Sequence, residues 1–361
     1  MLLRHLGLRN HRNYAHLELE PGPGVNVFLG ANGQGKTNLL ESVAMLALSS
    51  SPRARRELDL IGPVAPAARI QASVESGGRN LEVSISLAAD GERARRTIEV
   101  DGIRRRSVDL PGHFRATLFW PDDLGLVKAG PELRRRFLNH MLVQIEPGYA
   151  LALAGLKRVL EQRNHLLKRI AGGENGHQEL EAWDEELIKF STVIVTARER
   201  AVRELRPEAA RFHARVAEGE TLQVAYQGPP DDLAAALRQA LPEDLRRGST
   251  SVGPHRDDIE VLLGGRQARA FGSQGQQRTA VVSIKLAEAE LIFARTGERP
   301  VLLLDDVLSE LDVQRRTALL SQVETGGQVV ITAVESESFP PHLIAGARVW
   351  TVIAGRIESC G

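Results

Sequence analysis

The chain has 361 residues and 42% hydrophobic content, enough for two or three domains, and its 46 cations and 46 anions cancel, leaving any attraction to nucleic acid to local patches. A single cysteine, Cys360, excludes an internal disulfide and a cysteine-based metal cluster and fits a reducing compartment. No run approaches the ~18 apolar residues of a membrane span, and the opening Met1–His5 lacks an apolar signal core, so a cytoplasmic location with no membrane partner is expected.

Val25–Leu29 reads as a short strand, and Asn38–Leu46 as a helix with apolar residues at helical spacing. Between them stands Gly30-Ala31-Asn32-Gly33-Gln34-Gly35-Lys36-Thr37, the G-x-x-x-x-G-K-T pattern of a phosphate-binding loop in the strand–turn–helix setting it requires. Glycines let successive N–H groups turn inward around phosphate oxygens, and the helix N-terminus adds partial positive charge there. Lys36 is placed to neutralise the β- and γ-phosphates of a nucleotide, and the Thr37 hydroxyl to ligate Mg²⁺. Gly30, Asn32, Gly33, Gln34, Gly35, Lys36, Thr37 and Asn38 are therefore candidate nucleotide contacts. A chance glycine-rich turn carrying Lys-Thr would not account for the flanking strand and helix.

Arginines then cluster at Arg53-Ala54-Arg55-Arg56, Arg93-Ala94-Arg95-Arg96, Arg104-Arg105-Arg106 and Arg134-Arg135-Arg136. The first cluster follows the loop helix and the next two lie on expected hairpin strands, so the three could form one groove for duplex phosphates. Arg55, Arg56, Arg104, Arg105 and Arg106 are the candidate DNA contacts; ion pairs to Glu57, Glu92 and Glu99 are the competing reading. Aromatic residues are only 4%, which disfavours a base-stacking platform for single strands.

From Pro131 the pattern is helical, with Leu133, Phe137, Leu138, Met141, Leu142 and Ile145 on one face and Pro147-Gly148 ending the run. A second helix is expected over about Tyr149–Ile170, and a third from about Gln178 to Leu205, stopped by Pro207. The latter two suggest an antiparallel hairpin of roughly 30 Å at ~1.5 Å per residue. Gly253-Pro254-His255-Arg256 is a loop open to two readings, a DNA contact or an organiser of the lobe junction.

Ser273 is a good N-cap for a helix running to about Phe293, and Gly275 and Gln276 fall in its first turn, where exposed N–H groups can bind an anion. Val301-Leu302-Leu303-Leu304-Asp305-Asp306 is a core strand that ends in two carboxylates. Asp305 is placed to hold Mg²⁺ with Thr37, directly or through water, and Asp306 to orient or activate the attacking water. A helix around Val313–Val323 and a strand at Val329–Thr332 should follow in the same sheet. Lys36 and Asp305 stand near opposite ends of the chain yet must meet around one nucleotide. Residues 1–125 and 208–361 are therefore expected to build one α/β head, a mixed sheet with flanking helices, and 126–207 an inserted helical arm.

Phe271-Gly272-Ser273-Gln274-Gly275-Gln276-Gln277-Arg278 resembles the S-x-G-Q signature of ABC ATPases, placed as usual before the acidic strand. That resemblance implies an ABC-type head working as a head-to-tail dimer, in which Ser273, Gly275 and Gln276 contact ATP held by a second subunit. It gives Ser273 a catalytic role beside Lys36 and Asp306, and Ser309-Glu310-Leu311-Asp312 looks like the D-loop at the dimer interface. A narrower resemblance, to the RecF family, rests on Leu8–Tyr14 leading into Gly30–Glu41, Gly130-Pro131 with Arg134–Leu138, Gln162-Arg163-Asn164, Gly253–Arg256 and Asp305–Asp312. It implies ATP-dependent binding of double-stranded DNA near gaps and single-strand/double-strand junctions, and work with RecR and RecO in loading RecA. It also implies Arg12 and Asn13 as contacts on the adenine side or the α-phosphate.

The RecF resemblance implies a weak, DNA-dependent ATPase, and three departures from the wider ABC pattern point to slow hydrolysis, with ATP acting mainly as a dimerisation and DNA-binding switch. Asp306 stands where most ABC ATPases have Glu, the last strand ends Thr332-Ala333-Val334-Glu335 without the usual switch histidine, and no Q-loop glutamine is found near Phe119–Asp123. A transporter nucleotide-binding subunit would lack so large a helical insertion. The arm is too short for an SMC-type DNA bridge, and there is no further acidic cluster for a nuclease.

Overall fold

The structure, a computed structural model, describes residues 1–217, 219–311, 313–325 and 327–360. The chain opens with β1 (Leu2–His11), β2 (Tyr14–Leu19) and β3 (Val25–Leu29), then the glycine loop and α1 (Lys36–Leu48). β4 (Ala67–Ser76), β5 (Arg79–Asp90), β6 (Arg93–Val100), β7 (Ile103–Arg105) and β8 (Ala116–Phe119) follow. Next come α2 (Gly125–Lys128), α3 (Pro131–Ile145), α4 (Tyr149–Ala171) and α5 (His177–Val216). β9 (Leu222–Gln227), α6 (Leu233–Arg247), β10 (Asp258–Leu263), β11 (Arg266–Gln267), α7 (Ala268–Phe271) and α8 (Gln274–Thr296) lead back to the head. The chain closes with β12 (Val301–Asp305), α9 (Val313–Thr325), β13 (Val329–Ala333), α10 (Pro341–Gly346), β14 (Arg348–Ile353) and β15 (Arg356–Cys360).

Strand β12 explains the layering. All five of its residues are buried, as in a parallel strand covered on both faces. Its side chains alternate between two cores: Val301 and Leu303 join one, Leu302 and Leu304 the other. The first core holds α1 and the antiparallel sheet β2-β1-β4-β5-β6-β7. The second holds α3, α5, α8 and the small sheet β11-β10-β9, which the sequence pattern does not announce. Between them runs the sheet β15-β14-β3-β13-β12-β8, parallel throughout except for the β14–β15 hairpin. Helix α1 has apolar residues around most of its circumference because it is covered by both large sheets.

Both ends of the chain meet in this sheet, as expected for the head. β13 lies between β3 and β12, with Asp305 opposite Thr332 and Thr332 opposite Phe28. Gln328 fastens the N-terminal hairpin to β13, accepting from the Leu3 N–H at 2.6 Å and donating to the Leu3 and Gly22 carbonyls at 2.9 and 2.8 Å. The crevice at the carboxyl ends of β3, β12 and β13 is where open parallel sheets bind ligands.

The arm begins as the sequence indicates, with α3 and α4 at the expected positions, but its third helix does not stop at Pro207. α5 runs on to Val216 with Pro207 inside it, so the boundary expected at 207 falls within a helix. An interior proline costs ~3 kcal/mol. Burial of Leu205, Ala209 and Phe212 against the second core offsets it, since a fully buried Phe alone contributes ~1.5–3 kcal/mol. Local propensity yields to tertiary packing here.

Two fully buried arginines bind the arm to the 250–258 segment. Arg163 reaches Asp184 at 2.6 Å, Asp244 at 2.8 Å and Thr250 at 2.9 Å. Arg198 reaches the Pro254 carbonyl at 2.6 Å and Asp257 at 2.8 Å. His255 Nε2 and Arg256 both engage the Thr250 carbonyl, at 3.0 and 3.3 Å, so that loop organises the base of the arm.

Candidate nucleotide site

The glycine loop is held from three sides. A Cβ on Gly35, at φ 116°, would come within 2.5 Å of the Asn13 side chain, so only glycine fits. A Cβ on Gly30 would collide with the Val352 carbonyl. Asn13 donates to the Gln34 carbonyl at 2.9 Å and accepts from Asn38 at 2.8 Å, and the Tyr14 hydroxyl donates to the Gly35 carbonyl at 3.1 Å. From the other side, the turn of the β14–β15 hairpin grips Gln34: the Ala354 N–H meets its Oε1 at 2.7 Å and the Gly355 N–H its carbonyl at 2.9 Å. Asn32 and Gly33 lie exposed at the tip.

Thr37 and Asp305 meet at the mouth of the crevice. The Thr37 hydroxyl donates to Asp305 Oδ1 at 3.2 Å, across 268 residues of sequence. Thr332 Oγ1 donates to the same oxygen at 2.8 Å and accepts from the Asp306 N–H at 3.0 Å. Thr332 thus ties the two carboxylate residues together. In the sequence it figures only as part of the Thr332–Glu335 strand end that lacks the switch histidine, although a threonine ending a buried apolar strand beside the acidic one is a usable signal. Burial pushes the Asp305 carboxyl above its ordinary pKa, opposed by the Thr332 and Thr37 hydroxyls and by the charge of Arg53. Asp306 sits in the left-handed region at φ 50°, which turns the chain sharply out of β12.

The Lys36 ammonium folds onto the loop, donating to the Gly30 and Ala31 carbonyls, the latter at 3.0 Å. Burial lowers its pKa, while Asp306 and Asp305 act to raise it, which places the cation in the field of both carboxylates. Thr37 and Asp305 supply a hydroxyl and a carboxylate, hard oxygen donors that fit Mg²⁺, an ion that keeps waters and takes phosphate oxygens for the rest of its shell. Arg12 borders the site but is committed within the fold. Its Nε and Nη2 each donate to the Glu41 carboxylate at 2.9 Å, and Nη1 to the Asp59 carbonyl at 2.7 Å.

Ser273 caps α8 as expected and makes a capping box with Gln276. The amides of Gln274 and Gly275 begin the helix with no intrahelical acceptor behind them. The hydrogen bonds of Gln276 run to Ser273 and Glu220, and the face of Gly275 lies against Arg315, so the signature turn is held by residues outside the glycine loop. Asp312 lies outside the described residues.

This geometry agrees with what the chain resembles. A family model described as the RecF/RecN/SMC N terminal domain matches residues 2–342. The DNA replication and repair protein RecF of Heliobacterium modesticaldum is 39% identical over 371 residues, covering 99% of both chains. That of Gloeobacter violaceus is 39% identical over 373 residues, again 99% of both. The chain belongs to the RecF family. Among solved structures, the recombination mediator protein RecF-ATPrS in the RecFOR pathway superposes with a TM-score of 0.91 at 29% identity, covering 100% of this chain and 98% of that one. RecF-ATP in the same pathway gives 0.90 at 30% identity, over 99% and 97%. An Smc head bound to the C-winged helix domain of ScpA gives 0.57 at 15% identity and shares the fold.

In this RecF-family chain the arginine clusters divide by what they already hold. Arg134 is buried and spent on Asp258, at 2.5 and 2.9 Å, and on two carbonyls. Arg96 is spent on Glu57 and the Ser49 carbonyl, the ion-pair reading of its cluster. That pair also joins the 53–57 segment to β6. Arg56 pairs with Asp59 at 2.8 Å and Arg106 with Asp109 at 2.8 Å, both exposed. Arg55, Arg104 and Arg105 are exposed, the last two on the edge strand β7. Among the described residues, no helix is long and apolar enough to cross a membrane.

Proposed function

We propose that this RecF-family protein binds ATP with Mg²⁺, dimerises on it, and in that state holds double-stranded DNA near gaps and single-strand/double-strand junctions. With RecR and RecO it would promote RecA loading, hydrolysing ATP slowly in response to DNA. The observation that carries the reading is the Thr37–Asp305 contact, which unites the phosphate loop with the acidic strand. In this scheme Lys36 leaves the loop carbonyls for the β- and γ-phosphates, and the loop N–H groups surround them. Mg²⁺, when bound, neutralises charge between the phosphates. Asp306 orients the attacking water, and its short side chain positions that water less well than a glutamate would.

The signature turn would complete the site from the second subunit. Phe271 is 61% exposed and Val313 76% exposed, and each stands beside a segment that the dimer would cover. Arg55, Arg56, Arg104, Arg105 and Arg106 supply the DNA-facing cations. Light scattering with ATP, ADP or neither tests the proposal. ATP alone should double the mass, and Lys36→Met should abolish the doubling; equal mass in all three conditions would refute it.

A further inference from the structure

The signature turn is fastened to the end of the long helix α5 through one carboxylate. Gln276 Oε1 accepts from the Ser273 N–H at 2.7 Å, closing the capping box. Its Nε2 donates to Glu220 Oε1 at 2.5 Å. The other Glu220 oxygen, Oε2, lies 3.0 Å from His213 Nε2. A carboxylate only accepts, so the proton on that bond belongs to His213. His213 is in the last turn of α5, fully buried, and its Nδ1 has no hydrogen-bond partner among the described residues. Glu220 is the hydrogen-bonded link between this ring and the signature helix.

Helix α9 also closes on the turn. Arg315 Nε donates to Thr279 Oγ1, which itself donates to the Gly275 carbonyl at 2.9 Å. A Cβ on Gly275 would lie 3.2 Å from the Arg315 guanidinium. The first turn of α8 is thus held both by an anion just beyond the end of α5 and by a cation from the helix after the D-loop segment.

We infer that Glu220 is a positioning residue for the signature turn, and that with His213 it forms a strut carrying the orientation of the arm to the trans nucleotide contact. The inference rests on the trans reading proposed above. The Gln276 amide is held at both ends, so the strut fixes the direction of the α8 N–H groups that would meet the partner's nucleotide. A rotation of α5 by whatever binds the arm displaces the carboxylate and loosens the capping box. By reciprocity, closing the dimer on ATP biases the arm.

The experiment uses the full chain, comparing wild type, Glu220→Ala and Glu220→Gln. The readouts are the protein concentration for half-maximal dimerisation with ATP, ATP affinity of the dilute monomer, and the urea midpoint. Glu220→Ala should raise the dimerisation midpoint about tenfold (~1.4 kcal/mol). Monomer ATP affinity should change less than about twofold, because the phosphate loop belongs to the same chain and is untouched. Glu220→Gln, which keeps an accepting oxygen at the same reach, should recover most of the loss. An unchanged dimerisation midpoint in Glu220→Ala overturns the inference, as does a loss that only tracks the urea midpoint and is not rescued by Gln. Wild-type protein that stays monomeric with ATP overturns the dimer reading beneath it.

Discussion

Replacing Glu41 with Gln removes one partner of the ion pair that anchors the β1–β2 turn to the loop helix. The Glu41 side chain has no exposed surface. It accepts two hydrogen bonds from Arg12, each 2.9 Å, and one from Ser51 at 2.5 Å. Burial works against its charge, yet the bonds from Arg12 and Ser51 hold its pKa below the ordinary 4.5. Breaking a buried pair from one side costs ~3–5 kcal/mol. Arg12 keeps 21% side-chain exposure and the Asp59 carbonyl, so its stranded charge can still find water, and the lower end of that range, about 3 kcal/mol, applies. Because the folded pKa is depressed, this stabilisation is present above the unfolded pKa near 4.5 and is lost as pH falls through the lower folded value. Urea unfolding of wild type and Glu41→Gln at pH 7 reads the difference directly. A loss under about 1 kcal/mol, the level of an exposed ion pair, would refute the reasoning.

Three other outcomes are expected. Asp305→Asn keeps an accepting oxygen for Thr332 and Thr37 while removing a charge that burial disfavours. Ligand-free stability should therefore hold or rise in thermal unfolding, while the stabilisation by MgATP, ~2.7 kcal/mol at a hundred times Kd for wild type, should largely vanish. A destabilised protein with an intact MgATP shift would contradict this. His11 is buried with its pKa lowered from 6.5 to about 4 by burial, so folding favours the neutral ring; its contribution is complete above pH 6.5 and is lost as pH falls toward 4. Linkage puts the loss at about 2 kcal/mol between pH 7 and 5. His11→Gln should remove that part of the pH dependence, and parallel pH profiles would count against it. Finally, reversing Arg104 and Arg105 to Glu should weaken duplex DNA binding and reduce the salt slope by about 1 for each phosphate no longer neutralised. An unchanged affinity and slope would place the DNA elsewhere.

The parts of the fold carried by short-range pattern were legible in advance. β3, α1, α3, α4 and β12 announce themselves through periodicity, glycine spacing and terminal carboxylates, and they fall within a few residues of where the sequence puts them. The candidate nucleotide site was legible because its chemistry demands fixed residue types at fixed spacing, and the remote Asp305 could be brought to the phosphate loop on functional logic alone. Long-range packing was not legible. Pro207 reads as a helix stop, and only the buried side chains beyond it show why α5 continues. Nor could the arginine runs be sorted by sequence, since Arg96 and Arg104 differ only in what the fold brings beside them. Gln34's grip on the 354–355 turn and the Glu220–Gln276 bond join residues whose partners have no local signature.

In the proposed dimer each nucleotide lies between the phosphate loop of one chain and the signature turn of another. Mixing Lys36→Met with Ser273→Arg tests it most directly, because each variant alone lacks one half of every composite site. The mixed dimer should regain one complete site, seen as ATP-dependent dimerisation and hydrolysis that neither variant shows alone. A mixture as inactive as its components would contradict the account.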